Sequence, residues 1–301
     1  MKILLFGKNG QIGTELQRAL VPGAKLIALG RSDADLQKPQ SVVGAIRATK
    51  PDLVVNAAAY TAVDRAEDDA PAAHLANAGS VEAIAGEAAR RGIWMIHYST
   101  DYVFDGTKVS SYVETDPTGP LNVYGASKLV GENAIASSGA RHVVLRTSWV
   151  YSAHGTNFAR TMLRLARERD ALRIVSDQIG APTSASLIAR VTAAIVRQIT
   201  ASSVDDGSLS GIYHLAAGGE TSWHGFAQAL IAQARSEGFP IRVADDRIAA
   251  IPTADYPTKA RRPMNSRLDT SKLRNTFAIS LPDWREDIPS IVHDLVAGEQ
   301  R

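Results

Sequence analysis

The chain of 301 residues contains no cysteine, which excludes disulfides, thiolate metal sites and a cysteine nucleophile together. It has no excess of either charge. With 33 basic and 31 acidic residues spread along it, the formal charge is only +2, and neither a nucleic-acid stripe nor a membrane-binding polybasic patch is present. No apolar run approaches the roughly 18 residues of a membrane span. The opening Met1-Lys2-Ile3-Leu4-Leu5-Phe6 meets Gly7 and Lys8 too soon for the apolar core of a signal sequence, so a reducing cytoplasm is the expected compartment. No internal repeat or low-complexity tract stands out, and Ser202 to Ser210 reads as a polar surface connection. A hydrophobic content of 45% with 21% charged residues is that of an ordinary globular protein.

The length favours one large core with a smaller appended lobe. In the first half, short apolar runs at Lys2 to Phe6, Lys25 to Leu29, Leu53 to Asn56, Trp94 to Ser99 and His142 to Thr147 read as buried strands. Between them, Gln11 to Leu20, Pro39 to Thr49, Pro71 to Arg91 and Val123 to Ser137 carry apolar residues near helical period. This alternation predicts an α/β fold with a doubly wound, Rossmann-like parallel sheet. Residues 1–150 are expected to form that unit and residues 151–301 a smaller α/β lobe, with strands and helices free to cross back. In the second half, helices are expected at Asn157 to Arg169, Ser186 to Ala201 and Ser222 to Glu237, and strands near Leu172 to Val175 and Gly211 to Leu215. Pro252, Pro257 and Pro263 make Ile251 to Arg267 a long ordered loop.

Gly7-Lys8-Asn9-Gly10-Gln11-Ile12-Gly13 joins the first strand to the first helix, the setting that a dinucleotide loop requires. Glycine permits the tight turn and close approach of backbone to a pyrophosphate, and the helix start offers free amides. A plain turn and helix cap would share these features. The second strand ends Leu29-Gly30-Arg31, with no carboxylate at Gly30 to bind a ribose 2′-hydroxyl, whereas Arg31 suits a 2′-phosphate. NADPH is therefore the expected cofactor. Asp35 and Leu36 are candidates for the adenine, and Ala57 to Ala59, Tyr60 and Thr61 put small residues beside the cofactor.

Thr100 stands where the fourth strand ends, the edge at which open α/β sheets bind ligands, and its hydroxyl suits a substrate carbonyl or a loop cap. On the next helix Tyr124 precedes Lys128 by four residues, so their side chains share one face. A Lys128 ammonium there is expected to draw the phenol from its usual value of about 10 toward neutrality, making Tyr124 a proton donor and acceptor. Spacing alone does not separate this pair from a solvated tyrosine beside a lysine. The order of glycine loop, small-residue turn, hydroxyl and Tyr/Lys pair does.

These residues resemble the short-chain dehydrogenase/reductase family in its extended, nucleotide-sugar form. The resemblance is carried over nearly the whole chain by Leu4-Leu5-Phe6-Gly7-Lys8, Val54-Val55-Asn56-Ala57-Ala58-Ala59, Tyr98-Ser99-Thr100-Asp101-Tyr102-Val103-Phe104, Pro120-Leu121-Asn122-Val123-Tyr124-Gly125 and Arg146-Thr147-Ser148-Trp149-Val150-Tyr151. Asp177-Gln178, Gly180-Ala181-Pro182-Thr183, Tyr213-His214-Leu215, Arg262-Pro263 and Asn265-Ser266-Arg267-Leu268 extend it through the second half. Within the family it is similar to members that reduce a dTDP-linked 4-keto-6-deoxy sugar to dTDP-L-rhamnose.

The resemblance implies catalysis by Thr100, Tyr124 and Lys128. It implies cofactor contacts from Gly10, Gln11, Ile12, Ala59, Tyr60, Thr61, Tyr98, Tyr124 and Lys128, with NADPH favoured and NADH accepted. It places Asp101 and Trp149 in the sugar site, where the flat face of Trp149 suits a deoxysugar methyl, although a tryptophan of ordinary core packing has the same signature. Arg261 and Arg262 suit a substrate diphosphate, as exposed loop arginines elsewhere also do. Some members are dimers bridged by Mg²⁺ through helix carboxylates. Here Glu15 remains, but the later positions are Ser186 and Arg285, too few carboxylates for a hard cation, so no structural Mg²⁺ is expected and the chain is read as a monomer or weak homodimer. Another nucleotide-sugar reductase, epimerase or dehydratase, and a non-catalytic NADP-holding regulatory subunit, remain as alternatives.

Overall fold

Six short apolar segments satisfy their backbone groups in one another. β1 (Lys2–Phe6), β2 (Lys25–Leu29), β3 (Leu53–Asn56), β4 (Trp94–Thr100), β5 (His142–Thr147) and the strand Gly211–His214 form one parallel sheet. The computed structural model describes residues 1–21, 23–201 and 208–299, so residues 202–207 of the expected polar connection lie outside the described residues. Across the sheet the order is Gly211–His214, β5, β4, β3, β1, β2. The doubly wound sheet is thus present, and its winding reverses between β1 and β3. That reversal opens a crevice between the loops that leave the two strands.

Alternation along the strands feeds two cores. Ile3 and Leu5, with Leu53, Val55 and Ile96, face α1 (Gln11–Leu20); Leu4 and Phe6, with Val54 and Met95, face α2 (Pro39–Thr49). Because both faces are covered, the strands are mostly apolar, as a buried parallel sheet demands, with polar exceptions such as Asn56, His97 and Arg146 toward their carboxyl ends. Pro39 begins α2, and Lys50 ends it in the left-handed conformation with its N–H on the Ile46 carbonyl.

The single helix expected from Pro71 to Arg91 is three pieces. After α3 (Val63–Ala66) come α4 (Ala70–His74), a π turn at Leu75–Gly79, and α5 (Ser80–Arg91). The wider turn swings the buried Asn77 inward, where Oδ1 accepts from Tyr60 N–H (2.8 Å) and Nδ2 donates to the Tyr60 carbonyl (3.0 Å) and Ser127 Oγ (3.0 Å). Ser127 lies on α6 (Val123–Ser137), whose start is capped by Asn122 Oδ1 accepting from Gly125 N–H. The two helices touch at Gly131, where a Cβ would stand 2.2 Å from the Asn77 carbonyl oxygen.

Beyond β5, α7 (Phe158–Glu168) begins at the Asn157 cap, and α8 (Ala185–Ala201) returns to pack on α1. The strand Gly211–His214 pairs with β5, and α9 (Trp223–Ser236) starts at the Ser222 cap. Leu172–Val175 pairs with Ile248–Ile251, a strand that the sequence reading did not identify; the helices Ser271–Phe277 and Ile288–Glu299 also went unread. The proline-rich segment beyond Ile251 holds one 3₁₀ turn, Thr253–Asp255, and is otherwise loop.

One buried ion pair fixes α6 to the sheet. Arg146 of β5 donates from Nε and Nη2 to Glu132 (2.7 Å at the closest), both side chains are nearly fully buried, and the guanidinium lies 5.1 Å from the Phe104 ring centroid. Removing one partner strands the other charge in the interior. Arg146→Met is expected to cost about 3–5 kcal/mol in urea unfolding, and the double variant Arg146→Met/Glu132→Leu to recover most of it. A single variant as stable as the parent would show that the pair does not anchor α6.

Candidate active site

The loop after β1 is shaped by close approach. Gly7 has φ of +89°, and a Cβ on it would stand 2.7 Å from the Ala58 backbone nitrogen. At Gly13 a Cβ would fall 2.0 Å from the Gly7 carbonyl oxygen, so this glycine serves helix packing and does not line the cleft. α1 starts at Gln11 with no side-chain cap and no acid in its first turn, leaving its amides and positive end open to an anion. Gln11 Oε1 accepts from Ser152 Oγ (3.0 Å) and Asn157 Nδ2 (2.9 Å), tying the 152–157 loop to the glycine turn.

A cleft of about 1070 Å³ runs from this turn to the end of β4. It brings together Gly7, Gly10, Gln11, Ile12, Arg31, Asp35, Leu36, Ala59, Tyr60, Thr61, Tyr98, Thr100, Asp101, Tyr124, Lys128 and Trp149. Of the expected site residues Gly13, Arg261 and Arg262 are absent from its wall. The sequence reading missed Asn56, Arg65, Tyr102 and the Gly155 to Asn157 stretch, which also line it. Tyr102 was legible from its place beside Asp101; the 152–157 loop carried no signal beyond Gly155 and the Asn157 cap.

The cleft suits a dinucleotide by its bare helix start, by the crowded glycine cradle, and by Tyr60 Oη, Ser99 Oγ and Thr147 Oγ1, buried polar atoms of its lining residues that lack a hydrogen-bond partner. At the end of β2, Arg31 Nε lies 3.4 Å from Asp35 Oδ1 with its side chain largely exposed. No carboxylate sits at residue 30, but Asp33 folds back to accept from Gly30 N–H (2.9 Å), and Lys8 Nζ neutralises it at 2.7 Å.

Thr100 closes β4. Its Oγ1 donates to Asp101 Oδ1 (3.0 Å) and accepts from Tyr102 N–H (3.2 Å). Burial pushes the Asp101 carboxyl up to about 6, against the pull of the Ser266 and Thr100 hydroxyls. Tyr102 and Tyr124 meet edge to face, with ring centroids 5.7 Å apart.

The Tyr124 phenol departs from expectation. Burial pushes it up to about 12, the Thr100 hydroxyl pulls it partly back, and Asp101 raises it further. Lys128 does not draw it down, because its Nζ is turned to the Tyr98 carbonyl oxygen (2.6 Å) and His97 Nε2 (3.1 Å). Burial also brings the Lys128 amine down to about 8, against Glu132. The shared helical face is as expected; the direction of the phenol shift is not.

Trp149 adopts φ of +48° and stacks on Trp223, ring centroids 3.7 Å apart. Trp223 Nε1 donates to Gln178 Oε1 (3.0 Å), and a Cβ on Gly180 would strike the Trp149 ring at 2.7 Å. The Gln178 to Gly180 segment thus holds an indole that is mostly buried yet still reaches the cleft.

Arg262 is engaged elsewhere. Its Nη2 lies 2.7 Å from Asp64 Oδ2, Ala260 N–H donates to the same carboxylate, and Asn122 Nδ2 donates to the Arg261 carbonyl (2.7 Å). These contacts strap the proline-rich loop to α3 and α6, and the Arg261 side chain is exposed. Glu15 pairs with Arg18, Ser186 Oγ with Ser184 Oγ, and Arg285 with Asp283. Arg285 in particular does not fit a cation site, and among the described residues no group of three or more His, Asp or Glu gathers as ligands. No helix among the described residues is long and apolar enough to cross a membrane.

Comparison with known proteins covers the same length. The family model described as the RmlD substrate binding domain matches residues 1–297. A dTDP-4-dehydrorhamnose reductase of Escherichia coli (strain K12) is 48% identical over 299 residues, 98% of each chain. One of Burkholderia thailandensis is 49% identical over 297 residues, 99% of this chain and all of the relative. Among solved structures, dTDP-4-dehydrorhamnose reductase from Bacillus anthracis in complex with NADP superposes with a TM-score of 0.86 at 28% identity, over 97% of this chain and 99% of that one.

The raised Asp101 value has a stability consequence. A carboxyl whose folded value exceeds its unfolded one costs stability as pH rises from its unfolded value of 3.8 through about 6. Asp101→Asn is therefore expected to be more stable than the parent near neutral pH by on the order of 2–3 kcal/mol, with the advantage gone at about pH 4. Urea unfolding at both pH values checks this; a difference that does not change with pH would exclude ionisation as its source.

Proposed function

The chain belongs to the dTDP-4-dehydrorhamnose reductase family, and on that premise we propose that it reduces the C4 ketone of dTDP-4-dehydro-L-rhamnose to dTDP-L-rhamnose, the last step of dTDP-rhamnose biosynthesis. The observation that carries this reading is the meeting of Thr100, Tyr124 and Lys128 with the glycine turn in one cleft.

The nicotinamide cofactor, when bound, supplies the hydride to the ketone carbon. Gly7, Gly10, Gln11 and Ile12 receive its pyrophosphate at the start of α1, Asp35 and Leu36 border the adenine, and Ala59 to Thr61 with Tyr98 flank the rest. Arg31 selects NADPH over NADH by pairing with the 2′-phosphate, and Lys8 beside Asp33 keeps that corner from being anionic. Tyr124 gives its phenolic proton to the oxygen as negative charge develops there. A phenol held up to about 12 retains that proton at neutral pH, as an acid in the reductive direction must. Thr100 Oγ1 steadies the same oxygen, and Lys128 binds the nicotinamide ribose. Asp101 and Trp149 contact the sugar, whose methyl lies on the indole face.

Residues 1–150 are assigned to cofactor and catalysis, and residues 151–301 mainly to the sugar nucleotide. Arg262 takes part in diphosphate binding only if it exchanges Asp64 for phosphate. We place the enzyme in the cytoplasm, as a monomer or weak homodimer whose assembly does not rest on Mg²⁺.

A reductase consumes cofactor in step with product, whereas an epimerase or dehydratase on this fold regenerates it. One NADPH is expected to be oxidised per dTDP-4-dehydro-L-rhamnose reduced, and no absorbance loss with that substrate would sink the proposal. Tyr124→Phe removes only the acid; turnover is expected to fall by about two orders of magnitude or more while NADPH affinity holds. Undiminished turnover would remove Tyr124 from the mechanism. Dialysis against chelator is expected to leave both sedimentation and activity unchanged, and losses restored by Mg²⁺ would refute the metal-free reading.

A further inference from the structure

Trp149 holds a backbone conformation that few side chains tolerate. Its φ of +48° lies in the left-handed region, where a bulky residue persists only if its surroundings leave it no alternative. The backbone is held from its carboxyl side: the Trp149 carbonyl accepts from Thr183 N–H (3.2 Å), and Val150–Tyr151 pairs with Thr183–Ser184. The ring is held separately. Trp223 lies nearly parallel to it, with 12° between planes and 3.7 Å between centroids, and a Cβ on Gly180 would stand 2.7 Å from Trp149 Cε2. Trp149 borders the cleft and Trp223 does not. The stack therefore takes the side of the indole away from the cleft and leaves the other to a ligand.

Trp223 is braced in turn. Thr221–Ser222 pairs antiparallel with Ile179–Gly180, which brings Trp223 and Gly180 together around the Trp149 ring. An indole N–H only donates, so Gln178 turns its Oε1 to Trp223 Nε1 (3.0 Å) and its Nε2 to Thr253 Oγ1 (3.1 Å). The Thr253 hydroxyl then donates to Asp177 Oδ1 (2.6 Å), and Thr253 N–H reaches both oxygens of that carboxylate at 2.9 Å. Gln178 is buried, so Trp223 cannot swing away without stripping an interior amide oxygen of its donor. Phe158 lies against the Trp223 ring at 4.6 Å, and the preceding Asn157 donates from Nδ2 to Gln11 Oε1 (2.9 Å) at the cofactor turn. An aromatic ring packed for stability alone needs neither a left-handed backbone nor a directional line of hydrogen bonds. Here both fix the orientation of a ring that opens on the cleft.

We propose that Trp223 is a positioning residue for the sugar: by fixing the plane of Trp149 it presents a preformed flat wall to the hexose of the substrate. This deepens the functional reading above and rests on it for the identity of the ligand. Trp223 acts through Trp149 and touches neither substrate nor cofactor. A wall already in place need not be ordered when the ligand arrives, and so favours binding. Its loss weakens the bound ground state and transition state alike, which raises KM and leaves kcat little changed.

The test joins steady-state kinetics to circular dichroism of the full chain. Two indoles stacked in contact give an exciton couplet, which the parent is expected to show and both Trp149→Leu and Trp223→Leu to lose. At saturating NADPH, Trp223→Leu is expected to raise KM for dTDP-4-dehydro-L-rhamnose by about tenfold or more, while kcat and NADPH affinity hold. Trp223→Phe keeps a flat face and should recover most of that loss. Trp284→Phe, which joins the same aromatic cluster through Phe226 (6.0 Å), should lower the urea midpoint and leave KM unaltered. Should Trp223→Leu fail to fold, Gln178→Met removes the acceptor for Trp223 Nε1 and is expected to raise KM in the same direction. An unchanged KM in either folded variant, an equal rise in Trp284→Phe, or a parent without the couplet overturns the proposal. A parent that shows the couplet yet oxidises no NADPH with the keto sugar would sink the functional reading and this inference with it, whereas an active parent whose KM ignores Trp223 sinks this inference alone.

Discussion

The position of α6 sets everything that the cleft can do, and that position is set by polar atoms buried where they must find partners. Asn77, turned inward by the π turn, binds both backbone groups of Tyr60 and the hydroxyl of Ser127, so one side chain measures the distance between the cofactor turn and the helix bearing Tyr124 and Lys128. Gly131 lets the helix come within contact of the Asn77 backbone, and the Arg146–Glu132 pair ties the next residue to β5. An unsatisfied amide or carboxylate in this interior would cost more than a typical hydrogen bond gains, which makes the arrangement discriminating as well as stable. Satisfied polar networks of this kind define a single geometry where apolar packing alone tolerates several.

That geometry has electrostatic consequences at both ends of the chemistry. Burial raises the acids and lowers the bases, so Asp101, Tyr124, His97 and Lys128 all move toward their neutral forms. Of the four, the Tyr124 phenol, pushed up to about 12, is the acid that keeps its proton at neutral pH. A ketone reduction has need of this, since the negative charge that appears on the substrate oxygen is quenched by a proton already in place.

Much of the fold was legible because its signals are local. β1 to β3 and β5, and the helices at Gln11, Pro39 and Val123, fall where apolar periodicity, Pro39 and the Asn122 cap put them. What was not legible depends on partners far away in the chain. Pro71 to Arg91 reads as one helix because nothing in its local sequence marks the π turn; only Tyr60 and Ser127 reveal why Asn77 must turn. Arg262 looked like a phosphate ligand because its match to Asp64 lies 198 residues away. Lys128 looked like a charge for Tyr124 because helical spacing shows what shares a face, not what lies across the sheet at His97. Ile248–Ile251 was missed for the same reason, since its partner Leu172–Val175 is supplied by another part of the chain.

The strand Gly211–His214 bears on how this protein can be divided. It is drawn from late in the chain, yet it covers the outer edge of β5, and α8 likewise covers α1. A fragment ending near residue 150 would keep every residue of the glycine turn and the Tyr/Lys pair while exposing the β5 edge as a bare template for intermolecular pairing. During synthesis the same edge waits unpaired while about sixty further residues are made, the interval in which a nascent chain most needs a chaperone's cover.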